Sequence, residues 1–153
     1  MTKENIFTMD TSGIKFGNGC TEEVGYEAKR FGIRKALIIT DKKIEKLSLF
    51  QAVKDSLGKY GVYFSVYNDV VTEPTDTSFK NASSFASDGD YDGFIAVGGG
   101  SVMDTTKAAN LYSTYPADFL DYVNAPIGKG IPIPGPLKPL ICCLLYTSDA
   151  ADD

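Results

Sequence analysis

Hydrophobic and polar positions alternate along this chain in blocks that predict strand and helix in turn. Near the start, Ile6, Phe7 and Met9, then Ile14 and Phe16, flank Asp10-Thr11-Ser12-Gly13, the pattern of two short strands joined by a turn. Thr21-Glu22-Glu23 leads into a helix whose acidic first turn suits its dipole and which ends at Gly32, after Arg30. Ala36-Leu37-Ile38-Ile39 is a continuous apolar run closing on Thr40-Asp41, the profile of a parallel strand buried on both faces. Ser48-Leu49-Phe50-Gln51 has capping-box spacing, and Leu49, Val53 and Leu57 repeat at i, i+4, i+8 before Gly58 and Gly61. A second strand is predicted over residues 62–67. Pro74-Thr75-Asp76 opens a third helix with Phe79, Ala82 and Ala86 on one side; residues 94–97 form a third strand, and a helix follows Ser101 to about Tyr112. Strand and helix alternating through short connections predict an α/β architecture: a parallel sheet covered on both faces, with right-handed crossovers. Ligands of such sheets bind beyond the strands' carboxyl ends, so Asp41, the Glu73-Pro74-Thr75 segment and Gly98-Gly99-Gly100 are expected along one edge.

The junction from Phe94 to Asp104 carries the most chemistry. Its apolar run breaks into three glycines, then a hydroxyl at Ser101, then a helical pattern. Small residues there let backbone approach a ligand closely, and a helix beginning just beyond presents unpaired N–H groups and the positive end of its dipole. Phosphate is the anion such a turn suits. The spacing differs from the dinucleotide fingerprint G-x-G-x-x-G, whose third glycine would fall at Met103. The alternative is a turn that only reverses the chain, with Ser101 as helix N-cap.

Composition narrows the possibilities. A net charge of −5 with no Lys/Arg cluster argues against a nucleic-acid partner. No apolar stretch approaches the ~20 residues of a membrane span, and Met1-Thr2-Lys3-Glu4-Asn5 resembles neither a signal nor a transit peptide, so the cytoplasm is the expected compartment, with the mitochondrion as the alternative in a eukaryote. Cys20, Cys142 and Cys143 form no C-x-x-C pair, which argues against a disulfide framework or zinc knuckle. The chain has no histidine, the commonest general base and transition-metal ligand, so no catalytic or metal-ligating residue is assigned within it. After Tyr122, the density of Pro and Gly from Pro126 to Pro139 predicts an extended surface loop leading to a strand at Leu140-Ile141; a linker between domains is the alternative.

Gly98-Gly99-Gly100-Ser101-x-x-Asp104-x-x-Lys107 resembles the N-terminal signature of the iron-containing alcohol dehydrogenases. Val71-Thr72-Glu73-Pro74-Thr75-Asp76, Ala108-Ala109-Asn110-Leu111-Tyr112, the block from Asp118 to Gly130 and Pro136-Leu137-Lys138-Pro139-Leu140-Ile141 are similar, more narrowly, to a branch of that family that passes hydride between a hydroxyacid and an oxoacid. The resemblance extends from about Gly13 to Ile141. It implies a Rossmann-like parallel sheet holding NAD(P), followed in the family by a helical domain that holds a divalent metal, iron or zinc, through one Asp and three His. By this resemblance Gly99, Gly100 and Ser101 cradle the pyrophosphate, Asp41 meets the adenosine ribose, and Gly98, Glu73 and Asp104 complete the cofactor-binding set. Glu73 stands where many relatives have Asn. Asp41 as a cap after its strand, and Asp104 with Lys107 as a solvated i,i+3 pair, remain the plain alternatives. The implied substrate is a small hydroxyacid, oxoacid or alcohol, handled by a parent enzyme that forms homo-oligomers. The other readings are an NAD-dependent metal-containing alcohol dehydrogenase and a nucleotide-binding domain without catalysis. Residues 142–153 do not continue the family pattern. They resemble a translated sequencing adapter, so residues 1–141 are expected to be a truncated nucleotide-binding domain and residues 142–153 a non-native tail, which after Cys142 packs against nothing in particular; a genuine divergent tail is the alternative.

Overall fold

A computed structural model describes residues 12–145. Strands β1 (Lys35–Ile39), β2 (Tyr63–Tyr67), β3 (Gly93–Gly98) and β4 (Leu140–Leu144) form one sheet in the order β2-β1-β3-β4, all neighbours parallel. Helices α1 (Val24–Arg30), α2 (Ser48–Lys59), α3 (Asp76–Ser87) and α4 (Gly100–Thr114) cover it. The continuous apolar runs are explained by burial on both faces. Ala36, Ile38, Ile95 and Val97 enter one core with Val24 and Ala28 of α1 and Phe50, Val53 and Leu57 of α2. Their neighbours Leu37, Ile39, Phe94 and Ala96 enter the other with Ala82 and Ala86 of α3 and Val102 and Ala109 of α4.

The chain leaves β1 for β2 on one side and returns to β3 on the other, so the strand order reverses at the β1–β3 seam. That seam is fastened at both ends. At the carboxyl end the buried Thr40 Oγ1 donates to the Val97 carbonyl at 2.8 Å. At the amino end Asp92 Oδ1 accepts from the backbone N–H groups of Arg34 and Lys35 at 2.9 and 2.8 Å.

Several local expectations need correction. Ile14 and Phe16 are 86% and 100% exposed in an irregular segment, because alternation makes a strand only where a partner completes the ladder and none of the described residues does. Ile6, Phe7 and Met9 lie outside the described residues. Helix α2 does begin at Ser48, but its N-cap is Leu47 and no side chain caps it. Its buried face is Phe50, Val53, Ser56 and Leu57, with Leu49 only half-buried. Ser56 sets that rotation: its hydroxyl donates to the Glu22 carbonyl at 2.6 Å and accepts from the Gly25 N–H at 2.9 Å. A Cβ at Gly25 would lie 2.2 Å from the Ser56 carbonyl oxygen, so the close crossing of α1 on α2 requires glycine. Helix α3 carries the capping box instead, Thr75 exchanging hydrogen bonds with Ser78.

The expectation that the tail after Cys142 packs against nothing fails at Cys143 and Leu144. Cys142, Cys143 and Leu144 pair with Ala96, Val97 and Gly98, extending the strand predicted only at Leu140-Ile141. The free edge of β3 offers backbone donors and acceptors whatever side chains follow, and Ile141, Cys143 and Leu145 alternate onto the core shared by α1 and α2. Burial, and then the Cys142 and Cys20 thiols nearby, push the Cys143 thiol up to about 12, so it is an inert apolar group at neutral pH.

The Pro/Gly-rich segment is a surface loop pinned along α4. Asn110 Nδ2 donates to the Lys138 carbonyl at 2.8 Å, and Tyr115 Oη to that of Pro136 at 2.9 Å. Tyr112 Oη donates to the Phe119 carbonyl at 2.5 Å, and Phe119 stacks on both Tyr112 and Phe79.

Asp92 makes the seam sensitive to acid. Burial raises its carboxyl, but the hydrogen bonds from Lys35 and Arg34 and the Arg34 guanidinium outweigh it and hold the group below the usual carboxylate range. A depressed native pKa contributes stability that is present above the unfolded value and is lost as pH falls through the native one. Asp92→Asn should therefore be less stable than the parent at pH 7, and urea titrations should show that difference shrinking below about pH 4. A gap that persists unchanged at pH 3 would remove the ion from the account.

Candidate functional site at the carboxyl edge of the sheet

The carboxyl ends of β1 and β3 bring together residues far apart in sequence. Asp41 follows β1 through Thr40, and Gly98 to Ser101 turn from β3 into α4. Helix α4 starts one residue earlier than the sequence pattern suggests, at Gly100, with Gly99 as an N-cap in extended conformation. Ser101 is therefore inside the first turn and does not cap it. Its hydroxyl donates instead to the Thr72 carbonyl, tying the loop between β2 and α3 to the glycine turn and bringing exposed Glu73 to the same edge.

The glycines divide by role. Gly98 has φ +156°, and a Cβ there would lie 2.6 Å from Val102 Cγ2, so the turn itself demands glycine. At Gly100 a Cβ would meet nothing within 4 Å. Nothing inside the molecule requires its missing side chain, and the space beside it is open to a ligand. The N–H groups of Gly100, Ser101 and Val102 occupy the first turn of α4 and have no partner within the helix. A fifteen-residue helix thus begins with its positive end at a glycine turn with open space beside Gly100, an arrangement that suits a phosphate.

Asp41 is committed in part. Its Oδ1 accepts from the N–H groups of Lys43 and Ile44 at 2.7 and 2.9 Å, capping the 3₁₀ turn Ile44–Lys46, which leaves Oδ2 as the atom available to a hydroxyl. Asp104 lies one turn into α4, exposed, 3.5 Å from Lys107 in the i,i+3 pair that is the plain alternative for it. Sequence reasoning did not find Thr72, Lys42 or Asp69. Thr72 acts through its carbonyl, which any residue supplies, and Asp69 reaches Asp41 through an antiparallel backbone bridge. Neither leaves a mark in side-chain pattern.

A metal fits this chain poorly. There is no histidine, and among the described residues no group of three or more His, Cys, Asp or Glu could hold an ion. Among the described residues, too, no helix is long and apolar enough to cross a membrane.

A four-stranded parallel sheet covered by helices, with a glycine turn at its point of reversed strand order, defines an α/β class of domain. The iron-containing alcohol dehydrogenase family model matches residues 11–151, and the chain belongs to that family. It is 52% identical over 141 residues to mitochondrial hydroxyacid-oxoacid transhydrogenase of Mus musculus and 54% identical to that of Bos taurus. Each match covers 92% of this chain and 30% of the relative, so the chain spans under a third of their length. Among solved structures, NADH-dependent butanol dehydrogenase A from Thermotoga maritima superposes with a TM-score of 0.82 at 29% identity, over 92% of this chain and 34% of that one. An alcohol dehydrogenase from Oenococcus oeni gives a TM-score of 0.74 at 33% identity, over 85% of this chain and 33% of that one.

The division of the glycines is directly measurable. Gly98→Ala should cost about 1–3 kcal/mol from backbone strain and overlap with Val102. Gly100→Ala should stay within about 0.5 kcal/mol of the parent. Urea denaturation of both variants checks this; equal losses would mean that Gly100 too is required by the fold.

Proposed function

We propose that this chain is the NAD(P)-binding part of an oxidoreductase acting on CH–OH groups, with hydroxyacid-oxoacid transhydrogenase as the parent activity. Residues 1–141 make up the dinucleotide-binding unit in this reading. The single observation that carries it is Gly100: a glycine the fold does not need, at a helix N-terminus, on the edge where strand order reverses. The fit of the cofactor rests on that open cradle. Gly99, Gly100 and Ser101 would meet the pyrophosphate through backbone N–H groups, and Asp41 Oδ2 would accept from a ribose hydroxyl. Gly98 shapes the turn, Glu73 borders it, and Asp104 lies one turn further along α4. The nicotinamide, when bound, supplies the hydride acceptor. The residues of this chain bind and orient it.

The similarity at 50% identity and above to transhydrogenases favours oxidation of 4-hydroxybutyrate coupled to reduction of 2-oxoglutarate over a simple alcohol dehydrogenation. The metal that polarises substrate oxygen in such enzymes does not fit the described residues, so no chemical step is assigned to them. The relatives' names also favour the mitochondrion over the cytoplasm as the compartment.

Titration calorimetry with NAD+ tests the reading. The parent chain should bind, and Gly100→Val should weaken binding by at least roughly tenfold, equivalent to ~1.4 kcal/mol, with the fold intact by circular dichroism. Asp41→Ala should weaken NAD+ and lessen any bias against NADP+, whose 2′-phosphate a carboxylate repels. Equal affinity in the Gly100→Val variant and the parent would leave only a chain-reversing turn, and an unmoved NAD+/NADP+ preference would return Asp41 to capping alone.

A further inference from the structure

The rim beyond Asp41 carries charges that the neutral glycine turn does not. Lys42 follows Asp41 directly, and its ammonium donates to Asp69 Oδ1 at 2.6 Å. Asp69 is held there by the antiparallel bridge between Asp41 and Asp69, which closes the end of β1 on the end of β2. Both side chains are about two-thirds exposed, at 68% and 64%, so the pair adds little to stability. The hydrogen bond it donates to Asp69 also raises Lys42 above the ordinary lysine value, so it is a cation throughout the neutral range. What Asp69 controls is therefore the availability of that cation and not its charge.

We propose that Asp69 determines nucleotide preference at this edge, by holding the Lys42 ammonium in an ion pair so that the rim accepts a ribose 2′-hydroxyl and disfavours a 2′-phosphate. The inference rests on the cofactor reading above. A 2′-hydroxyl can donate to Asp41 and needs no cation. A 2′-phosphate brings up to two negative charges to a rim that already holds Asp41 and Asp69, with Glu45 close by, its Oε2 accepting from Asn68 at 2.7 Å. The cation nearest to Asp41 in sequence is already committed. Without the Asp69 carboxylate, the flexible lysine stem is free to carry its point charge to a phosphate.

Calorimetric dissociation constants for NAD+ and NADP+ test this on the 153-residue chain, on Asp69→Asn, and on Asp69→Asn combined with Lys42→Met. Urea denaturation of each variant checks the fold. In Asp69→Asn, NADP+ should tighten relative to NAD+ by roughly five- to tenfold, and Lys42→Met should cancel most of that gain. An unmoved ratio, or a gain that survives Lys42→Met, would overturn the ion pair's role while leaving the cofactor reading in place. A parent chain that binds neither nucleotide would overturn both.

Discussion

Everything at the carboxyl edge depends on the parallel pairing of β1 with β3. Leu37 pairs with Phe94, Ile38 with Ile95 and Ile39 with Ala96, so β1 ends two residues short of the end of β3 at Gly98 and their exits diverge to opposite faces. Thr40 locks that alignment by spending a buried hydroxyl on the Val97 carbonyl. A buried hydroxyl without a partner costs about 1–3 kcal/mol, so the bond fixes the exits rather than merely decorating them. From that point Asp41 turns one way into its capped turn, and Gly98 turns the other way into α4. A slip of the register by one residue would send each strand's core residues to the wrong face and take the two exits out of alignment.

The strands were legible because burial on both faces leaves a continuous apolar run, as in Ala36 to Ile39 and Phe94 to Val97. Helices α1, α3 and α4 were legible from turn residues and caps, notably Thr75. Helix α2 was placed correctly but rotated wrongly in its assignment, because Ser56 looks polar by type and is buried by its two hydrogen bonds. Strand β4 was cut short for a related reason. The sequence reading found no family pattern in Cys142 to Leu144, but pairing with β3 uses backbone groups, which are the same in every residue but proline.

The site shows the same division. Three glycines in a row were visible in the sequence, but not which of them the backbone needs; that distinction required the Val102 side chain beside Gly98 and the open space beside Gly100. Ser101 was read as a cap or a phosphate ligand; it does not cap the helix, and its hydroxyl donates to the Thr72 carbonyl. That contact binds the β2–α3 loop to the glycine turn, which gives Glu73 a place at the edge that its exposed position alone would not establish.

Under the proposed reading, phosphate recognition would rest on backbone dipoles, because none of residues 98–101 carries a charge and the chain as a whole is acidic. A helix N-terminus provides about half a unit of positive charge, and its interaction with an anion contributes roughly 0.3–1 kcal/mol at an exposed site. A contribution of that size can orient a pyrophosphate but cannot distinguish one nucleotide from another, since every dinucleotide presents the same group to it. In that reading, discrimination would come from the edge where the charges are full. In this molecule those charges cluster at the end of β1, where Asp41 caps its own turn and Lys42 is held by Asp69. The two halves of the edge are thus physically different devices. Under the proposed reading, a neutral glycine turn would tolerate any phosphate, and a charged rim at the end of the neighbouring strand would read what is attached to the ribose.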